Sequence, residues 1–134
     1  MSNRAIIVGE IEIAVPNKSG IIAEISKLVS AVGVHIIALR AYCIGNAGFI
    51  HFVTDDNKKA LEVLAKTKYK LKEQKVVLVV LKNEIGTVNT ITEQLSSQDI
   101  DIYAAYLTSG TGGDTTMVIQ AKDPHGILDI LNND

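Results

Sequence analysis

Residues 15–22 read VPNKSGII, set between GEIEIA and AEISKLVSAV. The residues before them, Ile6 to Val15, are rich in isoleucine and valine and predict a strand. After them, Ile21, Ile22, Ile25, Leu28, Val29 and Val32 recur at helical spacing, with Glu24 and Lys27 on the other side. The stretch is therefore an elbow from strand to helix. Pro16 ends the strand and fixes the exit direction. Gly20 has no Cβ, so the backbone can turn sharply and a ligand can approach. N–H groups at the helix start carry partial positive charge and suit a carboxylate.

Working outward, Gly33 ends the helix, as a residue just past a helix C-terminus often does. Val34 to Cys43 predicts a second strand, Gly45-Asn46 a tight hairpin turn, and Phe49 to Thr54 a third strand. Asp55, Asp56 and Asn57 supply capping oxygens for a helix from Lys58 to Ala65, and Tyr69 to Glu73 predicts a short fourth strand. The same order then recurs. Gly20 and Gly86 stand 66 residues apart, and that shift lays Asn17 on Asn83, Ile25 on Ile91, Ile36 on Ile102 and Ala38 on Ala104. The second copy has a strand VVLVVL from Val76, a helix from Thr87 to Ser97, and a strand from Ile100 to Leu107. A turn from Ser109 to Gly113, a strand from Thr115 to Ala121, and a helix opened by Asp123-Pro124 complete it.

The expected architecture is α+β: two tandem ferredoxin-like βαββαβ repeats, residues 1–74 and 75–134. Each is an antiparallel sheet with helices on one face, and the second lacks its last strand. VVLVVL and Val34 to Leu39 do not alternate, so they should be buried on both faces, most simply against the other repeat. The edge beside Val76 to Leu81 should pair with another strand, such as one from a second chain.

The chain has 134 residues, 47% hydrophobic and 21% charged, as an ordinary globule has. A net charge of −2 gives no reason to expect nucleic acid or an anionic membrane as partner. Glu10 and Glu12 interrupt the N-terminal apolar stretch, so no signal peptide or membrane span is expected, and the expected compartment is the cytoplasm. A single cysteine, Cys43, rules out an intrachain disulfide and reads as a small buried hydrophobe. His35, His51 and His125 fall on different elements without ligand spacing, so no metal and no cofactor are expected. No nucleophile motif or catalytic carboxylate pair is evident, and the chain does not read as an enzyme. SGTGGD lacks a lysine and runs into a strand, so it reads as a hairpin turn rather than a phosphate loop. Lys66, Lys68, Lys70 and Lys72 alternate, as on a strand edge guarded by charge.

Repeat and motif together resemble the tandem ACT-domain proteins, a family of small regulatory modules that bind amino acids. The resemblance covers nearly the whole chain. It is carried by Asn17-Lys18-Ser19-Gly20-Ile21 and Gly33-Val34-His35-Ile36, then by Asn83-Glu84-Ile85-Gly86 and Ile100-Asp101-Ile102. It implies that sheets associate side by side in a homodimer. The ligand then sits between this loop of one module and the start of the second strand of its neighbour. The implied ligand-binding residues are Asn17, Lys18, Ser19, Gly20, Ile21, His35 and Ile36 in the first copy, and Asn83, Glu84, Gly86 and Asp101 in the second.

Asn17 can donate and accept, which suits both the amino and the carboxyl group of an amino acid. His35 would donate to a carboxylate and Asp101 would balance an ammonium. The family usually has proline before the glycine, where this chain has Ser19 and Ile85, so its loops are less rigid; the second copy is also poorer in polar side chains, since Ile85 is large and apolar, and the first copy is the better site. The implied function is non-catalytic regulation: a small amino acid binds, and the signal passes to a partner, such as a separate biosynthetic enzyme. The alternatives are an RNA-binding module and a purely structural dimerisation module of the same topology. AGFIHFV looks like an RNA-binding strand, but Phe49 and Phe52 are three apart and point to opposite faces.

Overall fold

The computed structural model describes residues 4–108 and 113–132. Its elements run β1 (Arg4–Pro16), α1 (Ile21–Ala31), β2 (Ile36–Ile44), β3 (Ala47–Thr54), α2 (Asn57–Leu64), β4 (Lys70–Lys82), α3 (Thr87–Ser97), β5 (Ile102–Thr108), β6 (Asp114–Ala121) and α4 (Pro124–Leu131). The chain forms two compact units: Gly9–Gln74, and Met1–Val8 joined to Lys75–Asp134. Strands β1 and β4 each carry residues of both.

In the unit Gly9–Gln74 the strand order is β2-β3-β1-β4. β3 runs antiparallel to β1, with Ile13 opposite Ile50, and to β2, with Arg40 opposite His51. Strand alternation sends Ile11, Ile13, Val15, Ile50 and Phe52 to one face, where Ile21, Ile25 and Val29 of α1 and Ala60 and Leu64 of α2 close the core. Gly33 follows α1 at φ 78, and its N–H donates to the Ser30 carbonyl at 2.9 Å. At the β2–β3 turn only Gly45 has positive φ, 60°, the pattern of a glycine-first two-residue hairpin.

In the other unit the order is β1-β4-β6-β5, and β6 runs antiparallel to both β4 and β5. Val77, Val79, Leu81, Met117 and Ile119 pack under Ile91 and Leu95 of α3 and Ile127 and Leu131 of α4. Ala5 joins that core. Its N–H donates to Asn132 Oδ1 at 3.0 Å, and its carbonyl accepts from Asn132 Nδ2 at 2.9 Å. The edge beside Val76 to Leu81 is thus covered by the chain's own first strand, where the sequence suggested a missing strand.

Two further expectations are corrected. Tyr69 to Glu73 and Val76 to Leu81 are not separate strands, because β4 runs unbroken from Lys70 to Lys82; Lys66 and Lys68 precede it, so the alternating stripe shrinks to Lys70 and Lys72. Cys43 is exposed, because it lies on β2, which ends its unit's strand order. Burial on both faces is observed for VVLVVL, since Val76, Val77, Leu78 and Val79 are all buried in succession, but not for Val34 to Leu39, where His35 and Leu39 are exposed. The turn expected at SGTGGD falls largely on residues 109–112, outside the described residues.

Candidate functional site

The elbow is fastened at its polar end. The Asn17 N–H donates to the Asn46 carbonyl at 3.0 Å, and its Nδ2 reaches the Gly45 carbonyl at 3.5 Å. Lys18, Ser19 and Gly20 are exposed, while Ile21 is buried and anchors the helix start. Gly20 is the N-cap of α1 at φ 84, ψ 0, and its carbonyl accepts from the Glu24 N–H at 3.0 Å. A Cβ placed there would meet nothing within 4 Å. Backbone conformation therefore selects the glycine, and the space above it is open.

The second loop repeats this geometry. The Asn83 N–H donates to the Gly113 carbonyl at 2.9 Å, and Gly86 caps α3 at φ 90, ψ −7, accepting from the Thr90 N–H at 3.0 Å. Glu84 is exposed, and its carbonyl accepts from the Thr87 N–H at 3.3 Å. No side chain caps α1 or α3. By contrast, α2 and α4 open on Asp56 and Asp123, whose carboxylates accept from the Lys59 N–H at 3.1 Å and the Gly126 N–H at 3.0 Å. The helices that begin at the two candidate loops are thus the two without a side-chain acceptor for their first N–H groups.

His35 and Ile36 lie beyond the far end of α1. Asp55 clamps the His35 backbone, accepting from its N–H at 2.9 Å through Oδ1 and donating its own N–H to the His35 carbonyl at 3.1 Å. The register slips between Ile36 and Ala38, and again between Ile102 and Ala104, irregularities that re-aim side chains at a strand start. Asp101 is exposed immediately before β5. Each unit thus gathers its loop residues together, Asn17 to Ile21 in one and Asn83, Glu84 and Gly86 in the other. It sets His35 and Ile36, or Asp101, at the opposite end of a helix about 16 Å long. No single unit brings a loop and a strand start together.

An open depression of about 500 Å³ runs along α1 beside Ala23, Ser26, Lys27 and Ser30 and ends at Val34, His35 and Ile36. The Ser26 and Ser30 hydroxyls donate to the Ala23 and Lys27 carbonyls, at 3.2 Å each. Sequence reasoning placed Lys27 on the outer face of the helix but did not connect it to His35.

A second feature escaped the sequence entirely. On the helix-free face of Gly9–Gln74, His51 lies buried, its Nδ1 3.0 Å from Glu10 Oε1 and 3.3 Å from Arg40. Its Nε2 lies 3.1 Å from the Tyr42 hydroxyl and 3.5 Å from Glu12 Oε1. Tyr42 stacks on both His51 and Phe49, with centroids 5.5 Å apart in each pair. The only signal was the placing of Glu10 and Glu12 on either side of Ile11. The cluster ties β2 to β1 across β3. Phe52 is fully buried, so AGFIHFV does not present two aromatics to a base. Among the described residues, no three His, Cys, Asp or Glu side chains gather to hold a metal ion, and no helix is long and apolar enough to cross a membrane.

No protein-family model matches the sequence, and no curated protein matches it either. Solved structures match in shape. A protein of Bacteroides thetaiotaomicron superposes with a TM-score of 0.87 at 20% identity, over 96% of this chain and 88% of that one. The ligand-free regulatory subunit of aspartate kinase from Thermus thermophilus superposes with a TM-score of 0.70 at 13% identity, over 98% of this chain and 95% of that one. Aspartokinase alpha and beta subunits give a TM-score of 0.62 at 17% identity, over 94% of both chains. Across such low identities the likeness is one of fold: this chain has the α+β fold of a regulatory subunit of aspartate kinase.

Proposed function

We propose that the protein is a non-catalytic regulatory protein built from two ACT-type βαββαβ repeats, which binds a small amino acid and passes the signal to a separate enzyme or regulator. One observation carries this reading. The two helices that follow the candidate loops begin at left-handed glycines with no side-chain cap, whereas the other two helices are capped by aspartates. Uncapped helix-start N–H groups under open space suit a ligand carboxylate. The fold shared with a regulatory subunit of aspartate kinase supports a regulatory role in amino-acid metabolism.

The first loop is the stronger site. Asn17, Lys18 and Ser19 offer a neutral amide, a cation and a hydroxyl beside Gly20 and Ile21. In the second, Glu84 repels a carboxylate and Ile85 is fully exposed and apolar, so Asn83 and Gly86 would bind more weakly. The ligand's other half is met by the strand start of an adjoining module from a second copy: His35 and Ile36, or Asp101.

The test is thermal unfolding against each of the twenty amino acids at millimolar concentration. A ligand at about 100 times its Kd adds about 2.7 kcal/mol, a visible rise in midpoint. A rise with one or two chemically related amino acids, lost in Asn17→Ala and in Gly20→Val, is the expected result. No rise with any of them would sink the ligand reading and leave an assembly module.

A further inference from the structure

The 66-residue shift that lays Gly20 on Gly86 also lays Ala5 on Leu71. Each side chain enters the core of its own unit. Each residue also stands on the strand that ends its unit's order, β1 for Ala5 and β4 for Leu71. The two edges are finished differently. Asn132, the C-cap of α4, covers the backbone of Ala5: its Oδ1 accepts from the Ala5 N–H at 3.0 Å and its Nδ2 donates to the Ala5 carbonyl at 2.9 Å. The C-cap of α2 is Ala65, which has no amide side chain to offer. Among the described residues, no side-chain or turn hydrogen bond reaches the Leu71 N–H or carbonyl. In an antiparallel ladder the N–H and carbonyl of one residue point to the same side. Ala5 turns both away from β4, toward Asn132, so the repeated register turns those of Leu71 away from β1. Lys70 and Lys72 flank Leu71, and Lys66 and Lys68 lead into the strand; all four are exposed.

We propose that the open side of β4 at Leu71 docks an extended segment of a separate protein in which acidic residues alternate with apolar ones. The segment's backbone gives Leu71 the two hydrogen bonds that Asn132 gives Ala5, and so adds a strand to the sheet. Residues two apart on that strand share a face at a spacing of about 6.8 Å. Acids at alternate positions therefore stand beside Lys70 and Lys72, which are two residues apart on the helix-free face. The residue between them shares the face of Leu71, turns toward α2 and is apolar. β1 shows the same pattern on the other side of β4. In Glu10-Ile11-Glu12, Glu10 Oε1 accepts from Gln74 Nε2 at 2.9 Å and Glu12 lies 3.8 Å from Lys72 Nζ, while Ile11 enters the core. Lysines on a bare edge discourage pairing with a basic or an apolar strand, so the charge that guards this edge also selects the partner. A nucleic acid or a lipid headgroup carries negative charge but has no peptide ladder with which to satisfy Leu71. Only the signal carried across this contact rests on the functional reading above; the docking itself needs no amino acid.

The test uses the full chain without amino acids. Its probe is a capped heptapeptide that alternates glutamate and valine, with glutamate at both ends. In the free protein the Leu71 amide should exchange with solvent faster than the Ala5 amide. The peptide should bind, slow exchange at Leu71 and leave Ala5 unchanged. Its valines share the face of Leu71, so their N–H groups point at β4. N-methylation of the valines should abolish binding, and N-methylation of the glutamates should not. Lys70→Gln with Lys72→Gln should weaken binding about fivefold. Lys58→Gln with Lys59→Gln, in the first turn of α2, removes the same charge and should leave binding as it is. Ala65→Asn supplies the missing amide, so it should slow exchange at Leu71 without peptide and weaken the binding of the probe. A peptide that fails to bind, binding that survives N-methylation of the valines, or equal losses from the two lysine pairs would overturn the proposal. So would a Leu71 amide as protected in the free chain as Ala5, whether by the fold or by a second copy. A single-stranded oligonucleotide or phosphatidylserine vesicles that slow Leu71 exchange as much as the peptide would overturn it too. An amino-acid scan that shows no thermal rise, alongside intact peptide binding, would sink the ligand reading and leave the docking standing.

Discussion

Gly20 and Gly33 hold φ at 84 and 78 on either side of α1, and 66 residues later Gly86 and Asp99 hold 90 and 57 beside α3. Aspartate and asparagine are the side chains that best tolerate this left-handed region, which is why Asp99 can stand where the first unit uses glycine. Space is not the constraint at Gly20, since a Cβ there meets nothing within 4 Å. Gly20→Ala should therefore lose only backbone energy, about 1–2 kcal/mol in urea unfolding, and Gly20→Asn less. Equal losses would mean that the added atoms clash after all. Tyr69 offers a titration test at the same scale. Burial first, then a 3.1 Å hydrogen bond to Glu24 Oε2 and that carboxylate's charge, push its phenol above the ordinary 10.0. The folded chain keeps a proton that the unfolded chain releases. The stability this contributes is whole below pH 10.0 and drains away as pH rises through the higher folded value. The stability gap between wild type and Tyr69→Phe should accordingly close in alkali; a gap that stays constant would show that the phenol's proton is not linked to folding.

Among the elements, those set by local chemistry were legible and those set by distant pairing were not. Apolar spacing and the aspartate caps placed all four helices, and Gly45 placed the β2–β3 hairpin. β4 was divided in two because Glu73-Gln74-Lys75 is polar and breaks the apolar pattern. What carries the strand through is its partner. Glu10 Oε1 accepts from Gln74 Nε2 at 2.9 Å, and Glu12 lies 3.8 Å from Lys72 Nζ, both on β1. The strand that completes the second unit was hidden for the same reason, since Ala5 and Asn132 meet across 127 residues. Asn132→Ala removes two hydrogen bonds to the Ala5 backbone, a loss of about 1–3 kcal/mol at the usual net value of each. Hydrogen exchange at the Ala5 amide should quicken more than at Val15, at the other end of the same strand. An unchanged Ala5 rate would mean that β4 alone holds the N-terminal strand.

At the scale of the whole molecule, the candidate loops could be read from the sequence because each is a short contiguous motif. The depression along α1 and the His51 cluster could not, because they draw residues from several elements whose register only the fold supplies. Leu64 lies fully buried in the core of Gly9–Gln74 and Leu95 in the core of the other unit. Truncating either to alanine should cost about 2–5 kcal/mol, as other large-to-small changes in packed cores do. β1 and β4 carry residues of both units, so each of these two strands runs covalently from one core into the other. Melting one core then strips ordered strand from its counterpart. Leu64→Ala and Leu95→Ala should each lower the midpoint of one shared unfolding transition. Each should also speed slow amide exchange in the untouched core, at Ile119 in the first variant and at Phe52 in the second. If Leu64→Ala left the Ile119 amide as protected as in the wild type, or split the melt into two steps, the units would be folding independently despite the strands they share.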